Sequence, residues 1–118
     1  MALAGCSQKQ LTPDDLKSEI QNAQRLSREC SLVVELRPTG KLSEHFRKTH
    51  ELYLLKQFAE LKKTAGEAKP TAAIQQAFDE YKETLSALED ALHKIENEPR
   101  QEDFEAVTNR LEALEKKL

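Results

Sequence analysis

Residues 71–97 read TAAIQQAFDEYKETLSALEDALHKIEN, and apolar residues recur in them at Ile74, Phe78, Tyr81, Leu85, Leu88, Leu92 and Ile95. The steps are 4, 3, 4, 3, 4 and 3, the spacing of a coiled-coil-like seam on one face of an α-helix. A strand would need alternation at every second residue, and no such run occurs anywhere in the chain. This stretch therefore sets the fold class as all-α.

Working outward, Pro-containing breaks stand at RPTG (37–40), AGEAKPT (65–71) and NEPRQ (97–101). They divide the chain into helices over about 12–36, 41–66, 71–97 and 101–118. The first helix has a well-specified start. Thr12 is placed to cap it, Pro13 suits the first turn, and Asp14 and Asp15 meet the positive end of the helix dipole. Leu11 and Leu16 occupy the positions of a hydrophobic staple. Its stripe runs Leu16, Ile20, Ala23, Ser27 or Leu26, Cys30 and Val34, and Pro38 predicts an end near Leu36. The second helix is assigned Leu42, Phe46, Thr49, Leu52 or Tyr53, and Ala59, with Gly66 as its stop. The fourth carries Phe104, Val107, Leu111, Leu114 and Leu118. Short connections between sequential helices predict an antiparallel up-down-up-down four-helix bundle with coiled-coil-like seams.

The chain has 118 residues, 33% charged and 38% apolar, enough for one modest core. No run approaches the roughly 20 apolar residues of a membrane-spanning helix. Net charge is −3, weakly basic up to residue 69 and acidic beyond it. Basic residues alternate with acids and the few aromatics lie at core spacing, so nucleic acid is not expected as a partner.

Catalytic and metal-binding patterns are not found. His45 and His50 lie about 140° apart on a helix, which prevents both from holding one ion. His93 follows Asp90 and Glu89 in a geometry suited to a surface ion pair. A di-iron bundle needs two Glu-x-x-His pairs and further glutamates, whereas the nearest match here is one Asp-x-x-His. Haem attachment would need Cys-x-x-Cys-His. With only Gly5, Gly40 and Gly66, no phosphate-cradling loop is present. Cys30 falls on the buried stripe, where a thiol is inert. Glu80, Glu83, Asp90 and Glu98 avoid the seams. No enzyme activity, no cofactor and no catalytic residue is expected.

Two stretches exceed what a one-sided helix needs: LVVEL at 32–36, and LYLL at 52–55 with Phe58. Such helices are either central in their own core or covered by a partner. The second reading predicts a homodimer or partner surface of Leu32, Leu36, Leu54 and Phe58.

Leu3-Ala4-Gly5-Cys6, followed by Ser7, resembles the lipobox of bacterial lipoproteins. The resemblance covers four residues. It implies diacylglyceryl attachment at Cys6 and cleavage before it, with a basic and then apolar leader expected upstream. Residues 1–11 are then a signal remnant and flexible tether, and residues 12–118 the helical domain. The implied protein is a non-catalytic binding or scaffold module of the cell envelope, lipid-anchored on the extracytoplasmic side. An outer-membrane destination would suit Ser7, and the partner would be another envelope protein or a second copy. The alternatives are a cytosolic helical adaptor or homodimer and, third, a metal- or haem-binding bundle.

Overall fold

A computed structural model describes residues 10–118, which form four α-helices: α1 (Pro13–Leu36), α2 (Glu44–Glu67), α3 (Gln75–His93) and α4 (Gln101–Lys116). The described residues are all-α in class, apart from two short strands, β1 (Gln10–Leu11) and β2 (Lys69–Pro70), that pair in parallel. Two residues are too few to leave a period-2 signature, which is why the sequence showed no strand. Thr71 N–H adds a bond of 3.1 Å to Leu11 O. Gln10 and Leu11, within the stretch expected to be a tether, thus belong to the folded body, and Leu11 is buried.

Local chemistry explains the element ends. Thr12 caps α1 through a reciprocal box: its Oγ1 accepts from Asp15 N–H at 3.2 Å, and Asp15 Oδ2 accepts from Thr12 N–H at 3.1 Å. Leu36 closes α1 as expected, and a 3-10 turn at Arg37–Thr39 follows. Gly40 takes the left-handed conformation at φ 72°, a region that disfavours side chains. Ser43 Oγ accepts from Phe46 N–H at 3.1 Å and starts α2. α2 runs through Gly66 to Glu67. Its end is instead set by Pro70, which holds the residue before it extended and leads the chain into β2. α3 begins in α-geometry at Gln75 after a 3-10 turn, and stops at His93. The predicted span to residue 97 overran by a loose turn, through which Ile95 still reaches the core.

The core gathers Leu16, Ile20, Ala23 and Cys30 of α1 with the full series Ile74 to Ile95 and with Phe104, Val107, Leu111 and Leu114. Val33, not Val34, takes the last buried turn of α1, and Leu118 is partly exposed. Helices α1 and α4 are joined by polar contacts along their length. Ser27 Oγ donates to Phe104 O at 2.9 Å and accepts from Thr108 Oγ1 at 2.8 Å. Gln21 and Gln24 both donate to Glu115, and Arg28 pairs with Glu112 at 2.9 Å. Arg37 donates to Ile95 O and Glu96 O at 2.7 and 2.8 Å, tying the end of α1 to the turn after α3.

Helix α2 departs most from expectation. Its buried line is Glu51, Leu54, Phe58, Leu61 and Ala65, with Arg47 mostly covered one turn earlier. From Arg47 onward the steps are 4, 3, 4, 3 and 4, a seam hidden from a hydrophobicity reading because its first two members are charged. Arg47 Nη1 meets Glu51 Oε2 at 3.0 Å, and Glu51 is only 2% exposed. The expected stripe is correspondingly on the wrong face: Phe46, Leu52 and Tyr53 are all exposed.

Candidate interaction surface

The shift of seam in α2 decides what the surface presents. Once Leu54 and Phe58 turn inward, residues Phe46, His50 and Tyr53 line up on the flank of α2 that looks toward α1. They sit at i, i+4 and i+7, one above another on a helix. Their rings form a continuous stack. The Phe46 and His50 centroids are 5.7 Å apart at an interplanar angle of 8°, and those of His50 and Tyr53 are 5.6 Å apart at 20°. Such stacked arrangements suit the aromatic quadrupole and hold the three rings in near-parallel planes.

Opposite this stack, the last turns of α1 expose Leu32 and half-expose Leu36 beside the buried Val33. Together with Leu42 from the connection, these residues enclose an open groove of about 550 Å³. Its walls are almost wholly apolar, with Glu29 at one end. Leu32 is 51% and Phe46 52% exposed, unusual for large apolar side chains brought together in one concavity.

Of the four residues expected to make a partner surface, the structure places two here. Leu32 and Leu36 line the groove, while Leu54 and Phe58 lie in the core. The other wall, Leu42, Phe46, His50 and Tyr53, was missed as a surface. The 4-3-4-3-4 series starting at the charged Arg47 was the signal that could have found it. Cys6, the expected lipid-attachment residue, lies outside the described residues.

A second, polar concavity of about 340 Å³ opens between α1 and α2 further along, lined by Glu19, Arg25, Glu29, Gln57, Glu60 and Thr64. Glu19 Oε1 is buried there without a hydrogen-bond partner. Desolvation, reinforced by Asp15, raises the pKa of its carboxyl. Cys30 is fully buried, and burial pushes its thiol up to about 12. At Glu115 the hydrogen bonds from Gln21 and then Gln24 hold the carboxylate below its usual range. His45 and His93 are both exposed. Among the described residues no group of three His, Cys, Asp or Glu side chains could hold a metal ion. No helix among them is long and apolar enough to cross a membrane.

Comparison with known proteins returned no matching family model, no matching curated protein and no matching solved structure.

Proposed function

We propose that this chain is a non-catalytic binding or scaffold module that works by presenting the α1–α2 groove to a protein partner. The observation that carries this reading is the collection of exposed Leu32, Phe46 and Tyr53 into one apolar concavity. Large apolar patches on a small protein mark sites that are covered in use, and aromatic side chains are the usual anchors of such contacts.

The fold that supports the groove is an antiparallel up-down-up-down bundle with coiled-coil-like seams. Contacts between α1 and α4 favour this arrangement: the α1 members 21, 28 and 31 bond to 115, 112 and 101, in reversed order. The pairing of β1 with β2 likewise sets the start of α1 beside the end of α2.

The lipobox-like Leu3-Ala4-Gly5-Cys6 adds an address: a lipid on Cys6 would hold the module on the extracytoplasmic face of a bacterial membrane. Only a few residues separate Cys6 from β1, so the bundle would stay within about 20 Å of the lipid at roughly 3.5 Å per residue. Multiple acyl chains would make that attachment stable.

Two experiments test these two parts. Intact mass of the protein made in a bacterium from the gene with its upstream DNA should show acyl mass that Cys6→Ser removes; an unmodified chain overturns the anchor. A photo-crosslinking amino acid in place of Tyr53, used in cells, should give a covalent adduct. Absence of any adduct overturns the groove as a docking surface.

A further inference from the structure

Charge around the groove singles out one occupant. On α1, Glu29 closes one end of the concavity, and Glu35 lies across the Leu32–Leu36 ridge from it, on the flank that faces α4. On α2, Lys56 and His45 flank the aromatic stack on its own far side, by their helical angle from Phe46 and Tyr53. None of these four side chains has an ion-pair partner among the described residues. Among nearby charges, Arg28 pairs with Glu112, Glu44 with Lys48, and Arg47 with Glu51, while Lys41, beside Leu42 at the connection, has no ion-pair partner among the described residues. Arg25, also unpaired, stands beyond the Glu29 end, over the polar concavity. The face thus has acidic α1 side chains, an apolar middle and an α2 edge whose positive charge is carried by Lys56.

We infer that the groove is filled by a second copy of this chain, the two copies being related by a two-fold axis that runs along α1 and α2. This rests on the reading of the groove as a docking surface and names its partner. Rotation about that axis lays α1 of one copy over α2 of the other. Leu32 and Leu36 then meet the Phe46–His50–Tyr53 stack of the second copy, and the acidic α1 side chains meet the α2 edge that carries Lys56. With α2 running back along α1, Glu29 shares a level with Tyr53, since both line the two concavities. One turn from Tyr53, Lys56 of the second copy is within reach of Glu29. Glu35, near the level of Phe46, falls opposite His45 of the second copy. A two-fold axis across the helices would instead set acid against acid. The apolar line on α2, from Phe46 to Tyr53, is only about 11 Å long at 1.5 Å per residue. So small a contact gives a weak, reversible and salt-sensitive dimer.

Sedimentation velocity from micromolar to millimolar protein should show a concentration-dependent dimer that dissociates as salt rises. Phe46→Glu should weaken it at least tenfold; the position is exposed, and unchanged circular dichroism and melting temperature verify the fold. Glu29→Lys and Lys56→Glu should each weaken the dimer, and the double variant should restore it, a rescue that chance damage cannot produce. A strictly monomeric chain, or a dimer indifferent to Phe46→Glu and to the charge swap, overturns the inference. The adduct from position 53 separates the two levels. A doubled mass supports self-association, whereas an adduct only with another protein overturns it and leaves the docking surface standing. No adduct overturns both.

Discussion

Glu51 and Arg47 are the residues that turn α2. A carboxylate 2% exposed is tolerated only because Arg47 sits 3.0 Å away on the same helix, for an isolated buried charge is expensive. Arg47→Met should therefore cost about 3 kcal/mol in urea unfolding, the scale for orphaning a buried charge. Adding Glu51→Leu should recover most of that loss, because an apolar pair of similar volume needs no desolvation. Two other side chains report their surroundings through pH. The Glu19 carboxyl is raised by desolvation and by Asp15, so its protonated form is the one the folded state prefers. Its stabilising contribution is whole below the ordinary carboxylate range and is lost as pH rises through the folded value. Glu19→Gln should consequently melt higher than the parent at neutral pH, with the difference closing below about pH 4. The Cys30 thiol, moved from 9.0 to about 12, favours folding in its neutral form below pH 9 and loses that contribution as pH climbs toward 12. At neutral pH Cys30 should react with a thiol reagent only as fast as the protein opens, and a fast reaction of the native protein would refute its burial.

At the scale of elements, capping chemistry was the most legible feature. Thr12, Pro13 and Asp15 specify the start of α1 through bonds within four residues, and such local rules can be read without knowing the fold. Thr12→Ala should cost about 1 kcal/mol, seen as a lower urea midpoint at constant slope. The α3 seam was equally plain, since every one of its seven apolar positions is buried. Helix α2 was not, because hydrophobicity counts apolar residues and cannot see a charge pair that neutralises itself within the seam. The excess of Phe46, Leu52 and Tyr53 pulled the expected stripe to the outside. The same error hid half of the candidate surface, while Leu32 and Leu36 on α1 were identified from their excess over a one-sided pattern. The β1–β2 pair depends on how distant segments meet, so no local pattern announced it.

For the whole molecule, the body measures 56 × 29 × 18 Å, long and thin enough that its two broad faces differ in character. The contacts of α4 with α1 and α3 are stitched by Ser27, Thr108, Glu115 and the pair of Lys117 with Glu80. The α1–α2 side holds the apolar groove, the polar concavity beside it and the exposed aromatic stack. Association runs through that side, first with a second copy. Backbone amide resonances of labelled protein, followed from dilute to concentrated solution, report on this contact residue by residue. Concentration-dependent shifts should be confined to residues 29–36 and 42–56 and be abolished by Phe46→Glu. Shifts that fall on α3 and α4, or none at any concentration, would contradict this association.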